Sequence, residues 1–357
     1  MNNNTNNKSN SIIEQPVLGI TMGDPAGIGP EVIIKALADP AIRRAAKFII
    51  FGMDEQLRYA ADKAEIEPFW GRHQHEKISR DYPHKVVVAD YDEFSMPPWI
   101  REPTRVAGEA SLKFCTDAIE AAKRDIIDAV VTAPINKTSW KMAGAPWPGH
   151  TEMFAKLCKS PRKAMLFVAE RLKVALATIH LALFDVRHKF TIGCVFEPID
   201  LLNIALKEYF DIENPKIGVA ALNPHAGENG QFGDEENRII SPAILMAQEQ
   251  GIDCFGPIPA DTLFLRAVQG EFDGVVAMYH DQGMIPVKLL AFDKAVNVTI
   301  GLPIIRTSPA HGTAFDIAGK NIADPSSMME AIKTAIKMSA SKKARQAVHA
   351  KAPANAK

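Results

Sequence analysis

The sequence has no C-x-x-C pair, almost no net charge and no apolar run of membrane-spanning length. Its four cysteines, Cys115, Cys158, Cys194 and Cys254, are scattered. That pattern argues against a zinc ribbon or a thioredoxin-like redox pair and fits reduced thiols in a core. A formal net charge of −1 over 357 residues offers no basic field for nucleic acid and no acidic excess. Without a long apolar stretch there is no helical membrane span to place, and MNNNTNNKSNS at the start has no apolar signal-peptide core. No G-x-G-x-x-G fingerprint or G-K-[ST] P-loop is present, nor any repeat or low-complexity linker. The expectation is a soluble cytoplasmic protein with neither nucleic acid nor membrane as a partner.

What is present is ordinary globular composition, 47% hydrophobic and 23% charged, on a chain long enough for two domains or lobes. Residues 1–14 are Asn-rich and read as a disordered tail. Residues 341–357 are rich in Ala and Lys and read as a brief helical continuation that frays. Between them, short Val/Ile-rich runs alternate with helical patterns. The runs are Val17–Thr21, Lys47–Phe51, Lys85–Ala89, Ala129–Thr132, Met165–Val168, Val174–Ile179, Phe190–Val195, Lys216–Ala221, Gly274–Met278 and Val296–Ile300. The helical patterns include Pro30–Ala38, Ala110–Lys123, Ile199–Tyr209, Glu235–Gln250 and Ser326–Met338. Such alternation predicts an α/β protein with a mainly parallel sheet. The AERLK spacing between two of the runs predicts one antiparallel hairpin, and so a mixed sheet.

Three apolar runs end in histidine: VALATIH at His180, KIGVAALNPH at His225 and GVVAMYH at His280. Ligands in open α/β sheets bind beyond the strands' carboxyl ends, so three imidazoles there could meet around a metal with one position left open. Taken singly, each reads as well as a strand-end histidine bonded to backbone. A second group lies in Gly/Pro-rich segments: His150, Thr151 and Glu152 in WPGHTE, Asp281 and Lys288 in YHDQGMIPVK, and Asn297, Arg306, Thr307, Ser308, His311 and Asp316 in VNVTIGLPIIRTSPAHGTAFD. Lys, Arg and hydroxyl donors suit a phosphate or carboxylate, and ordinary polar loops are the plain alternative. TMGDPAGIGPE, Thr21–Glu31, could hold an anion at a helix start or serve only as a tight turn. Asp261 in GPIPADT is either a site carboxylate or an N-cap.

TMGDPAGIGPE, VTAPINK, PGHTE, ATIHLAL, NPHAGE, GPIPADT, MYHDQG and NVTIGLPIIRTSPAHGTAFDIAGK, in that order, resemble the 4-hydroxythreonine-4-phosphate dehydrogenase family of vitamin B6 (pyridoxine) biosynthesis. The likeness runs from about Val17 to Ala340. It implies a two-lobed fold like that of isocitrate and isopropylmalate dehydrogenases rather than a Rossmann domain. The unit would span residues 15–340, with discontinuous lobes of about 15–139 plus 300–340, and about 140–299. It implies a homodimer with the active site at the interface, NAD or NADP as oxidant, and one divalent metal (Zn, Mg or Co) on His180, His225 and His280 drawn from both subunits. It assigns substrate binding to His150, Thr151, Lys288, Asn297 and Arg306, and makes Lys288 and Asp261 the candidate catalytic residues, Lys288 as proton carrier. The implied reaction oxidises a C3 hydroxyl in a four-carbon 4-phosphate acid and then decarboxylates it. The substrate is 4-phosphohydroxy-L-threonine, giving 3-amino-2-oxopropyl phosphate and CO2. Alternatively, as in a related sugar-acid branch, it is D-threonate or D-erythronate 4-phosphate, giving dihydroxyacetone phosphate and CO2. A metallohydrolase or phosphatase built on the same histidines, or a metal- or phosphate-binding module, would differ in needing no nicotinamide.

Overall fold

The computed structural model describes residues 15–351, and side chains through residue 348. The Asn-rich segment 1–14 and the last six residues lie outside the described part. Twelve strands form one sheet. In chain order they are β1 (Val17–Thr21), β2 (Lys47–Gly52), β3 (Gly71–Gln74), β4 (Val86–Asp90), β5 (Ala129–Thr132), β6 (Ala164–Ala169), β7 (Leu172–Leu176), β8 (Ile217–Ala220), β9 (Cys254–Ile258), β10 (Gly274–Ala277), β11 (Val296–Ile300) and β12 (Ile305–Pro309). Across the sheet the order is β3-β4-β2-β1-β5-β12-β11-β6-β7-β10-β8-β9.

Direction changes only in the middle. The strands from β3 to β12 in that order pair in parallel, as do β7, β10, β8 and β9. Between them the β12–β11, β11–β6 and β6–β7 pairings are antiparallel. The two parallel sets therefore run in opposite directions, and the chain leaves the first after β5 and returns to it at β12. The sheet is mixed and mainly parallel, as the alternation of runs and helices predicts. The predicted hairpin is β6–β7, closed by Glu170 and Arg171 between the paired Ala169 and Leu172. The strands are short and almost wholly buried because helices cover both faces. One extensive core runs through most of the chain. A smaller one packs Met165, Phe167, Val174 and Val275 against Leu263, Met284 and Val287 of the Ala260–Val268 and His280–Ala291 helices.

Four sequence expectations need correction. Phe190–Val195 is not a strand: a helix covers Ile192–Phe210, because Thr191 accepts from the Cys194 N–H and returns its own N–H to the Cys194 sulfur, a reciprocal cap that a purely apolar reading misses. Residues 305–309, read as loop, form the central strand β12. The edge strands β3 and β9 carry no long apolar run and went unread. The C-terminal helix does not fray soon after residue 341 but runs Ser326–Lys351; Ser341 donates to Asp211 at 2.6 Å and Lys343 to Asp128 at 2.9 Å. Among the described residues no helix is long and apolar enough to cross a membrane.

Candidate active site

A cleft of about 830 Å³ opens where the two strand sets meet. Met165 and Phe167 of β6, Asn297 of β11 and Arg306 of β12 contribute from within the sheet. The turns after β5, β7 and β12, the start of the His150–Leu157 helix and the His280–Ala291 helix supply most of the rest. His150, Thr151, His180, His280, Lys288, Asn297 and Arg306 all line it. The structure thus brings together seven of the nine residues to which the resemblance assigns a role, from segments spread over much of the chain.

Arg306 is the deepest charge. It is 3% exposed and its N–H groups reach only neutral hydroxyls: Nε and Nη2 donate to Thr132 Oγ1 at 3.2 and 2.7 Å, and Nη1 to Thr299 Oγ1 at 3.0 Å. No carboxylate pairs with it among the described residues. Burial lowers its pKa to about 10, so it remains charged at neutral pH. A guanidinium carries more donors than two threonines take up, and a buried charge without a counterion is costly. Beside it, His150 Nε2 and Asn297 Oδ1 are buried without hydrogen-bond partners, as is His311 Nε2 at another wall of the same cleft. Buried polar atoms are rarely left unpaired. Unpaired polar atoms beside a buried guanidinium describe a pocket that a polar ligand completes, with Arg306 as its anion-binding group. Burial, and then the Arg306 charge, hold His150 well below its ordinary value, so its ring is neutral.

His180 and His280 meet because β7 and β10 are adjacent and parallel. Their ladder continues through Ala177 and Thr178, whose N–H groups donate to the Ala277 and Met278 carbonyls, and Thr178 Oγ1 adds a 2.7 Å bond to Met278. The two imidazole centroids lie 5.8 Å apart. Asp281 accepts from or shares a proton with His280 Nδ1 at 2.7 Å, the kind of partner that orients a ligating imidazole. Burial, Lys137 and His280 together lower the His180 pKa, which keeps it neutral and able to donate a lone pair to a metal.

His225 does not join them within one chain. β8 lies next to β10, and Gln282 bridges the two strand ends by donating to Ala221 and accepting from Met278. Past that point Asn223–Pro224 turns the chain outward. His225 through Asn229 all adopt positive φ, and the His225 side chain is 72% exposed. Glu236 fastens this loop by accepting from the Leu222 and Asn223 N–H groups. Among the described residues no three His, Cys, Asp or Glu side chains cluster closely enough to hold a metal. Asp261, exposed in the first turn of its helix after the edge strand β9, also lies outside the cleft of the single chain.

TMGDPAGIGPE is a brace and does not line the cleft. Gly23 turns at φ 73°, where a Cβ would meet the Pro134 carbonyl at 2.2 Å. Asp24, its pKa raised by burial, accepts from Ser139 Oγ and the Ala26 N–H, and Ile28 N donates to the Thr313 carbonyl. The loop thereby fixes two segments that do line the cleft, VTAPINK and HGT. Within VTAPINK sits a cleft residue that sequence reasoning passed over, Lys137. A lysine directly after an Asn cap at a strand end was the available signal.

The model of a family described as pyridoxal phosphate biosynthetic protein PdxA matches residues 44–335. A relative from Desulforapulum autotrophicum named 4-hydroxythreonine-4-phosphate dehydrogenase is 42% identical over 329 residues, covering 90% of this chain and 95% of its own. A Salmonella typhimurium relative named D-threonate 4-phosphate dehydrogenase is also 42% identical over 329 residues, covering 91% of this chain and 100% of its own. The crystal structure of a 4-hydroxythreonine-4-phosphate dehydrogenase from Klebsiella pneumoniae superposes with a TM-score of 0.83 at 38% identity, covering 92% of this chain and 99% of that one.

Proposed function

The chain belongs to the pyridoxal phosphate biosynthetic protein PdxA family, whose named relatives are dehydrogenases, and on that premise we propose that it oxidises the C3 hydroxyl of a four-carbon 4-phosphate acid in the cytoplasm. NAD or NADP is the oxidant, and the β-keto acid formed loses CO2. The substrate we favour is 4-phosphohydroxy-L-threonine. One observation carries the proposal: the buried Arg306, paired with no carboxylate among the described residues, lies with the unpartnered His150 Nε2 and Asn297 Oδ1 in the same cleft as the His180–His280 pair. That arrangement suits a substrate with an anionic end beside a reacting hydroxyl.

Arg306, His150, Thr151 and Asn297 hold and orient the phosphate. The buried walls of Met165 and Phe167 keep water from the substrate's carbon skeleton. Lys288, on the helix that His280 opens, is exposed at the cleft and carries protons to or from solvent. The donor set fits a divalent cation (Zn, Mg or Co): two imidazoles side by side, one oriented by Asp281, with His225 of a second subunit as third ligand. When bound, such a cation would supply Lewis acidity for the hydroxyl's deprotonation and for the charge that develops during decarboxylation, and a bound nicotinamide would supply the hydride acceptor.

A homodimer accounts for two otherwise unexplained features. The first is the outward-facing His225 loop, with Asp261 at the same end of the sheet. The second is an apolar face formed by Ile285, Leu289 and Phe292, of which Leu289 is 82% and Phe292 77% exposed; a contiguous exposed patch of this kind marks an interaction surface. A second reading of the substrate, D-threonate or D-erythronate 4-phosphate, is supported for its D-threonate form by the Salmonella relative named D-threonate 4-phosphate dehydrogenase, at the same 42% identity.

The test offers purified protein, with Mg2+ or Zn2+ and NAD+ or NADP+, each of these three phospho acids. Reduced nicotinamide from one of them supports the proposal, and unequal turnover selects the substrate. Phosphate release without nicotinamide reduction would replace it with a metallophosphatase.

A further inference from the structure

Resting on the reading of this cleft as a phospho-acid site, we infer that Ser308 is a further substrate-binding residue, its hydroxyl donating to the phosphate beside Arg306. The family resemblance gives it no role. Ser308 is 6% exposed and lines the cleft, yet no hydrogen bond reaches its Oγ among the described residues. A serine hydroxyl rotates to donate or to accept, and one so little exposed is rarely left without a partner.

The strand register fixes where that hydroxyl stands. β11 and β12 are antiparallel, with Asn297 opposite Ser308 and Val298 opposite Thr307, and Arg306 bonds Thr299 in the next row. Side chains alternate across a strand, so Arg306, Ser308, Asn297 and Thr299 share one face. Thr307 points to the other and donates to the Ala331 carbonyl at 2.9 Å. On β5, Thr132 follows Val131, the partner of Thr307, and so stands level with Ser308. By bonding Thr132 through Nε and Nη2, the Arg306 guanidinium leans from its own row into that of Ser308. Cross-strand neighbours have Cβ atoms about 4.5–5.5 Å apart. An anion resting on the guanidinium therefore meets Ser308 Oγ and the Asn297 amide as well.

Ser308 is set apart from the other hydroxyls around the cleft. Thr132 and Thr299 spend their oxygens on Arg306, and Thr178 Oγ1 donates to the Met278 carbonyl. Apart from Thr151, already placed at the phosphate, Ser308 is the hydroxyl among the described cleft residues with no partner in the protein. On β6 the same rows continue as Phe167 beside Asn297 and Met165 beside Thr299, which offer no donors. The polar floor therefore ends at β11, and the carbon skeleton lies over β6. A phosphate takes donors from several sides at once: a guanidinium, a hydroxyl and an amide here. All three stand on paired central strands, so little order must be gained on binding.

The test is calorimetric binding to the metal-loaded full-length protein, wild type, Ser308→Ala, Ser308→Thr and Ser308→Asp. The probes are 4-phosphohydroxy-L-threonine and glycerol 3-phosphate, which lacks the carboxylate. We expect Ser308→Ala to weaken both by the same factor, about ten- to a hundredfold, the range for a hydrogen bond to a charged group. Ser308→Thr, which keeps the hydroxyl, should recover most of the loss. Ser308→Asp should bind neither probe and, without ligand, should melt no lower than wild type, because its carboxylate gives Arg306 a counter-ion. A loss confined to 4-phosphohydroxy-L-threonine would put Ser308 at the carboxylate end, unchanged affinity for both would make it a mere wall, and normal binding by Ser308→Asp would turn the side chain away from Arg306; each overturns the inference. Nicotinamide reduction by the wild type is scored separately. If it fails with every phospho acid, the dehydrogenase reading falls, while equal weakening of both probes still upholds the phosphate contact.

Discussion

Replacing Arg306 with methionine should separate ligand binding from stability, and the two effects should have opposite signs. The side chain is buried, and all its hydrogen bonds within the protein go to the neutral hydroxyls of Thr132 and Thr299. Without ligand its charge is uncompensated, and taking an ion out of water costs several kcal/mol even after relaxation. Methionine has similar length, fills irregular space and carries no charge. The ligand-free Arg306→Met protein should therefore unfold at the same temperature as wild type or higher. Binding should collapse. A guanidinium gripping a phosphate through two charge-assisted hydrogen bonds of about 1.5–3 kcal/mol each contributes about 3–6 kcal/mol. At about 1.4 kcal/mol per decade, that is roughly a hundredfold to ten-thousandfold in Kd. Calorimetric titration with inorganic phosphate and with the phospho acid measures the first quantity, and a scanning melt without ligand the second. Phosphate affinity retained within about threefold, less than about 0.7 kcal/mol, would show that Arg306 does not face the anion. A clear fall in melting temperature would show that its threonine bonds, and not a ligand, justify its burial.

Other outcomes follow from the same geometry. His225→Ala should abolish turnover and strip the metal. Leu289→Glu combined with Phe292→Glu should give a monomer, by sedimentation, with the same metal loss, since His180 and His280 alone remain. A monomer with full metal content and activity would exclude a shared site. His150 also makes stability pH-dependent. Its folded pKa lies well below the ordinary 6.5, so the unfolded chain binds a proton more readily. The stability owed to its neutral form is complete above about 6.5 and is lost as pH falls toward the depressed folded value. Chemical denaturation between pH 7.5 and 5 should show a shallower decline for His150→Asn than for wild type; identical slopes would mean that the ring is solvated in solution.

The α/β architecture was legible because strands covered on both faces must be short, continuous and rich in Val and Ile, and they read that way in β1, β2, β5 and β10. The His180–His280 pair was legible for a related reason: both close such a run, and adjacent parallel strands bring equivalent ends together. Arg306 was not readable as a core residue. One arginine in PIIRTSP looks like a loop charge until β5, distant in sequence, supplies Thr132 and the neighbouring strand β11 supplies Thr299 around it. Lys137 was equally opaque, since its place depends on Asp24 reaching Ser139 across more than a hundred residues. Local pattern was enough for the layers, most of the buried strand runs and the residue types capable of the chemistry, because burial and hydrogen-bond chemistry act on local pattern; it was not enough for β3, β9 or β12. Only the tertiary structure decided which of those residues share a cleft, where the sheet reverses direction to make that cleft, and that His225 and Asp261 lie outside it. Those are relations between distant segments, set by strand order and packing, which local pattern does not encode.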